Sequence, residues 1–441
     1  MSNISDELLL GFNERGGWST IQVLIDVINN KNYDTYLDIL YRENILIGMF
    51  NDGFNLLKEI DVNGKSIIPI NMFRKMDSES VLDWYESRLS SYGTGYSSKV
   101  LEEEEIDFDD EFIDNCAEGL ENGVPFDMAG YDDAKGEKID CFPFLSNQIN
   151  GLLDGTFTML GGYSSVGKST IWITILMALM YRGRKVLIIS NEENIKKFKI
   201  KFMVWLLAKY RKYFKLTKKK MMSGEISEDD RKELKIVQQY WRDNYKSKLK
   251  FIAIADADMN IVKKKIRENV LKYGYDTVLY DTFKLDFEDI NSKEYISLIR
   301  DSRELDKLAK KYNIIMLASL QLAIHTLGKL FLDSSVLSMG KQIKEVLEGL
   351  LLMRTVYPEE LDPDNKRFYC RPFRSKKVND KWIEEPYEAD QTATWRMLFV
   401  DKTRNGSNSS DTGVAYLLRF NGEFATFKET CKCRPRHGRI E

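Results

Sequence analysis

The residues Gly162-Tyr163-Ser164-Ser165-Val166-Gly167-Lys168-Ser169 satisfy the spacing G-x-x-x-x-G-K-[ST] at every defined position. Glycines at 162 and 167 let the backbone turn several N–H groups toward one point, and a helix N-terminus adds positive potential there. Lys168 brings a cation for β- and γ-phosphate oxygens, and the Ser169 hydroxyl is a ligand for Mg²⁺. The apolar strand Phe157–Leu160 before the loop, and a helix from near Ser169 through Thr170, supply the context this chemistry needs. Gly162, Ser164, Ser165, Val166, Gly167, Lys168, Ser169 and Thr170 therefore form the expected binding loop for a nucleoside triphosphate.

Hydrolysis also needs a carboxylate for the metal and a base to orient water. Thr277-Val278-Leu279-Tyr280-Asp281 is an apolar strand ending in an acid, and Asp281 is expected beside Ser169 as the metal carboxylate. Lys185–Ser190 is a second strand, followed by Asn191-Glu192-Glu193. Ligands collect at the C-terminal edge of such strands, so Glu192 is the expected water-polarising base and Glu193 its rival. Taken singly, each acid also suits a helix cap or a solvated turn. His325 and His437 are the only histidines, which excludes histidine-rich metal sites and leaves acid–base work to carboxylates.

These groups need a scaffold, and the 441 residues suffice for two or three domains. With 43% apolar and 30% charged residues the composition is that of a folded chain, and no apolar run is long enough to span a bilayer. Five scattered cysteines suit a reducing compartment, so a cytoplasmic protein without a membrane partner is expected. Strands are expected at Thr156–Gly161, Lys185–Ser190, Leu249–Ile254, Thr277–Tyr280, Ile314–Ser319, Gly349–Met353 and Met397–Val400. Alternating with longer helical segments, they predict an α/β domain on a largely parallel sheet. Alternation from Val414 to Phe420 predicts a closing antiparallel ribbon with a two-residue Asn421-Gly422 turn.

Four regions follow: a helical domain over 1–98, an acidic linker over 99–135 with a helix near Phe112–Leu120, the α/β domain over 136–430, and a basic tail over 431–441. The tail reads as a flexible contact for nucleic acid or a partner. Net charge is −3, yet Asn194–Gly224 holds eleven Lys/Arg and no acid. Near-neutrality thus hides basic surface suited to a polyanion, although such runs also serve as plain solvated helix faces. Cys431-Lys432-Cys433 is read as an incidental pair, His325 as a surface residue, and Trp172 and Trp205 as core.

From about Phe142 to Phe427 the order of motifs resembles the DnaB-type replicative helicases, hexameric ATPases with a RecA-like domain. Leu152–Gly161 is similar to the family's approach to its phosphate loop, and Ser190-Asn191-Glu192 to the motif of its catalytic glutamate. Met222–Asp230 resembles the helical turn that follows there. Asp281 falls at the family's metal-binding aspartate. Ser319-Leu320-Gln321-Leu322 resembles its third motif, whose glutamine senses the γ-phosphate. Lys402-Thr403-Arg404-Asn405-Gly406 looks like its lysine and arginine finger. The resemblance implies an α/β RecA-like P-loop ATPase domain beside a smaller all-helical, collar-like N-terminal domain, using ATP and Mg²⁺. Glu192, Lys168, Arg404, Lys402 and Gln321 carry the implied catalytic roles, and Ser169 and Asp281 the metal. Asp333–Lys341 stands where the family's DNA-contacting loop lies, which implies DNA contacts at Ser338, Gly340 and Lys341. Leu337 occupies a place that is commonly basic in the family, and Ser319 lies one position further from Gln321 than the pattern has it. The polar insertion Tyr357–Trp395 has no counterpart in the pattern.

The expected function is an ATP-dependent helicase that encircles single-stranded DNA as a homo-hexamer and unwinds forked DNA. Primase, a loader or a polymerase are its expected partners, and a bacteriophage origin, hence the host cytoplasm, fits the compact size. A RecA-like strand-pairing recombinase and a nucleotide-switched adaptor for primase or polymerase are the alternative readings.

Overall fold

The computed structural model describes residues 33–62, 65–85, 123–128, 130–139, 141–254, 259–284, 293–337, 340–378, 381–404 and 406–440. The chain divides into two compact units, Met1–Asp107 and Phe108–Glu441. The linker helix expected near Phe112–Leu120 lies outside the described residues.

In the first unit, α1 (Tyr33–Asn51) is followed by the antiparallel pair β1 (Ile60–Val62) and β2 (Lys65–Ile67), then α2 (Pro69–Phe73). Leu46, Leu56, Phe73 and Val81 form its small core. The helical reading of this region thus gains a short antiparallel strand pair.

Among the described residues, the second unit has α3 (Pro143–Gln148), β3 (Phe157–Gly162), α4 (Lys168–Tyr181) and β4 (Val186–Ser190). Three helices follow, α5 (Ile195–Lys209), α6 (Lys218–Ser223) and α7 (Glu228–Asn244), before β5 (Leu249–Ala253). Next come α8 (Met259–Tyr273), β6 (Thr277–Lys284), α9 (Lys293–Tyr312), β7 (Ile315–Gln321), α10 (Gly340–Val346) and β8 (Gly349–Thr355). The chain closes with β9 (Pro372–Val378), β10 (Lys381–Pro386), β11 (Trp395–Lys402), α11 (Ser409–Thr412), β12 (Ala415–Asn421) and β13 (Thr426–Cys433).

The described strands of this unit make one sheet in the order β10-β9-β13-β12-β11-β8-β3-β7-β6-β4-β5. From β8 to β5 the pairing is parallel, and from β11 to β10 it is antiparallel. Alternate residues of the parallel strands feed two cores. Met159, Leu187, Ile189, Val278, Met316 and Leu350 point to one, and Leu160, Ile188, Leu279, Leu317 and Leu351 to the other. Burial on both faces is why these strands read as continuous apolar runs. Trp172 and Trp205 are fully buried, and each indole still finds an acceptor, Ser319 Oγ and Thr174 Oγ1, both at 3.1 Å.

Two readings need correction. The turn at Asn421-Gly422 is not a two-residue turn, because Asn421 pairs with Thr426 and four residues intervene. Asn421 Oδ1 accepts from Glu423 N at 3.1 Å, and Phe424 turns inward against Phe214, which lengthens the loop. Nor is the segment after Thr430 a free tail. Cys431 and Cys433 are buried in β13, Leu330 N donates to Gly438 O at 3.0 Å, and His437 stacks on Phe331 at 4.6 Å. The insertion Tyr357–Trp395 is also structured. Its root is a buried bidentate pair, Arg354 with Glu360 at 2.6 Å, and its outer part is the β9–β10 hairpin.

Candidate functional site

Gly162, the last residue of β3, opens a loop that ends at Gly167, and α4 begins at Lys168, one residue earlier than expected. Gly167 has φ +105, and a Cβ there would sit 3.1 Å from Phe427 and 3.2 Å from Phe420, so both backbone and space require glycine. Ser164 and Ser165 are exposed at the tip, Val166 is buried beneath, and Thr170 N donates back to Gly167 O at 3.0 Å.

Lys168 Nζ donates to Gly162 O at 2.9 Å and Tyr163 O at 3.0 Å, so the cation is folded over its own loop. Burial holds its pKa below the ordinary lysine value, with Glu192 and Asp281 pulling it back up. Ser169 Oγ lies 3.3 Å from Asp281 Oδ2. Asp281 is buried, and desolvation raises its pKa, partly offset by a hydrogen bond from Ser319 and by Lys201. Trp172 Nε1 donates to Ser319 Oγ at 3.1 Å. The hydroxyl that departs by one position from the helicase pattern thus ties α4 and β7 to the carboxylate on β6. A buried carboxylate beside a serine hydroxyl is a hard oxygen donor set that suits Mg²⁺.

The neighbouring carboxylates sit in different settings. Glu193 is ion-paired with Lys201 on α5. Glu192 is exposed and makes no ion pair among the described residues; its charge acts on Lys168. Asn191 locks the strand ends beneath it: its N–H donates to Asp281 O at 3.0 Å, and its Oδ1 accepts from Thr282 N at 2.9 Å. Gln321 ends β7 in register with Gly162, beside the start of the phosphate loop.

Lys402 and Arg404 stand elsewhere. β11 runs antiparallel to β8, so Lys402 is level with Leu350, and through it with Met159 near the start of β3. Both cations therefore leave the sheet at the edge opposite their own phosphate loop. Lys402 turns inward, its Nζ donating to Lys344 O at 2.6 Å. Arg404 is 61% exposed, with Nε 3.0 Å from Glu348. The turn after it is seated by Gln148 Nε2, which donates to Ser407, and a Cβ on Gly406 would collide with Gln148 O.

Of the expected DNA contacts, Gly340 starts α10, whereas Ser338 and the Lys341 side chain lie outside the described residues. Leu337 is fully buried, which accounts for an apolar residue at that place. His325 is exposed, as expected. Arg396 escaped the sequence reading. It is buried in β11, donates through Nε to Val166 O at 2.8 Å, and lies 4.6 Å from the Phe420 ring. A lone cation inside the apolar run Trp395–Val400 was its only signal.

Residues 140–327 match the family model of the DnaB-like helicase C terminal domain. This region is similar to the DnaB-like helicase C terminal domain. Two solved structures share the fold. One is described as an ATPase domain, with 15% identity over 74% of this chain and 100% of that one, at a TM-score of 0.51. The other is described as a DnaB-like replicative helicase and its interactions with primase, with 15% identity over 94% of this chain and 83% of that one, at a TM-score of 0.52. No curated protein matches the chain. The DnaB-like region contains the phosphate loop, Glu192, Asp281 and Gln321, while Lys402 and Arg404 lie beyond it. No helix among the described residues is long and apolar enough to cross a membrane.

Proposed function

We propose that this protein is an ATP-driven replicative helicase that works as a hexameric ring on single-stranded DNA. The convergence of Lys168, Ser169, Asp281 and Glu192 at one sheet edge, with Arg404 at the opposite edge, carries this reading. ATP would sit with its β- and γ-phosphates on the loop amides, and Lys168 would release Gly162 O and Tyr163 O to meet them. Ser169 and Asp281 would hold Mg²⁺, which would supply positive charge against that of the phosphates. Glu192, free of an ion pair among the described residues, would orient the attacking water and accept its proton. Gln321, in register with Gly162, would relay the state of the γ-phosphate toward the segment 322–341.

Arg404 cannot serve its own loop from the far edge, so it would reach the γ-phosphate of a neighbouring subunit, with Lys402 beside it. A hydrolytic site completed only between subunits couples turnover to ring assembly. An adaptor switched by nucleotide alone has no need of this complete set. Primase is the expected partner, by analogy with the structure described with its primase interactions.

The test is unwinding of forked DNA carrying 5′ or 3′ single-stranded tails, with ATP and Mg²⁺. Unwinding of one tail polarity supports the reading and gives the direction of travel. ATPase activity with strand pairing but no unwinding of either fork favours the recombinase.

A further inference from the structure

The β9–β10 hairpin lies outside the region matched to the DnaB-like domain. Its position follows from register. Phe373 pairs with Lys432, Lys432 with Tyr416, Tyr416 with Leu398, Leu398 with Met353, and Met353 with Gly162. The hairpin therefore starts level with the root of the phosphate loop. It then runs five residues further to Val378, roughly 16 Å at a strand rise of about 3.3 Å per residue. Between 374 and 378 it has β10 as its only pairing partner among the described residues.

The base is held firmly. Arg434 bonds Glu384 through Nε at 3.2 Å and Thr412 O through Nη1 at 3.0 Å. Tyr387 N donates to Pro372 O at 2.9 Å, and the Arg374 guanidinium lies 4.4 Å from the Tyr387 ring. The outer part faces solvent: Trp382 is 70% exposed, with Lys377 directly across the ladder on the same face. Lys376 and Lys381 flank it on the other face, and Lys376 is only 3.9 Å from Glu385, with both groups more than half exposed. The hairpin Pro372–Pro386 has four cations and three acids, but Glu384 pairs with Arg434 at the base, and from Lys376 to Trp382 the sequence has three lysines and one acid, Asp380.

A large indole left in water among lysines is a poor surface for another strand, because edge lysines oppose sheet extension. It is a good surface for unpaired nucleotides, whose bases stack on aromatic rings while lysines meet the phosphates. We propose that the β9–β10 hairpin is a second contact for single-stranded DNA, separate from the Asp333–Lys341 loop, with Trp382 as the stacking platform and Lys376, Lys377 and Lys381 as phosphate contacts. This rests on the helicase reading above. An arm anchored at its base beside the ATPase edge would hold a strand near the ring without reading its sequence.

The test uses full-length protein with Mg²⁺, a non-hydrolysable ATP analogue, and thymidine oligonucleotides carrying 5-iododeoxyuridine, which crosslinks to stacked aromatic residues. Crosslinks are mapped by mass spectrometry, and affinity is measured by fluorescence anisotropy across a salt series. The expected result is a crosslink on Trp382, about tenfold weaker binding for Trp382→Ala, and a salt slope reduced by about two for the triple variant Lys376→Ala/Lys377→Ala/Lys381→Ala. Both variants should keep the DNA-independent ATPase rate, which reports on folding. Crosslinks confined to other peptides, with affinity and salt slope unchanged, overturn the hairpin assignment alone. A variant that changes sedimentation without DNA makes the hairpin a contact between copies and overturns it too. Failure of the wild-type protein to bind any oligonucleotide overturns the helicase reading as well.

Discussion

Ser169 Oγ and Asp281 Oδ2 stand 3.3 Å apart although 112 positions separate them in sequence. The first residue belongs to the helix that leaves the phosphate loop, the second to a strand two places away in the sheet. Parallel pairing of β3, β7 and β6 is what brings them to the same edge.

Burial sets the energetics of that pair. Asp281 has a raised pKa, so in the pH range between the ordinary and the raised value the folded chain binds more protons than the unfolded one. Stability without ligand therefore falls as pH rises through that window, and the charged form is costly at neutral pH. Asp281→Asn removes this cost while keeping the shape that meets Ser169 and Ser319. The ligand-free variant should melt higher than wild type. Its ATP turnover should be lost, and Mg²⁺ with ATP should no longer raise its Tm. Thermal scans with and without Mg²⁺ and ATP read both effects; a lower ligand-free Tm contradicts the electrostatic origin.

Glu192 and Glu193 are chemically alike neighbours in different settings. Glu192→Gln removes the carboxylate free to polarise water, and turnover should fall by about 10²–10⁴ with ATP binding retained. Glu193→Gln breaks the contact with Lys201 and should leave turnover within about tenfold of wild type. Single-turnover hydrolysis beside nucleotide binding separates them, and equal losses in both variants would remove the distinction.

Arg396 supports the loop from below. Arg396→Ala withdraws the donor to Val166 O and the cation over Phe420. Nucleotide affinity should weaken by about tenfold, consistent with loss of a charge-assisted bond of about 1.5 kcal/mol. Arg396→Lys should recover only part, since lysine lacks the planar fork. Titration with a fluorescent ATP analogue measures this, and unchanged affinity in Arg396→Ala would show that the loop holds its shape unaided.

Much of this was legible in the sequence because local rules govern it. The phosphate loop, the apolar strands and the acids at their ends follow from spacing and from burial on both sheet faces. What escaped depends on contacts between distant segments. Ser319 is an unremarkable strand residue until the fold sets it between Trp172 and Asp281. The tail looked free because its basic residues conceal the alternation of Cys431 and Cys433 in β13. The Asn421-Gly422 turn misled because the Asn421 side chain caps a longer loop. The opposite placement of Arg404 comes from strand direction in the ribbon, which the motif spells no part of.

The most direct test of a site completed between subunits mixes two variants that are each inactive. Lys168→Ala should hydrolyse no ATP, having lost the cation of the phosphate loop. Arg404→Ala should bind ATP but turn it over about 10³–10⁵ times more slowly. In mixed rings some interfaces pair an intact loop with an intact Arg404, so ATPase activity should return, rising to a maximum at intermediate mixing ratios. Native mass spectrometry establishes that mixed rings form. Activity that stays at the sum of the separate variants, in rings shown to contain both, contradicts the assignment of Arg404 to a neighbour's site.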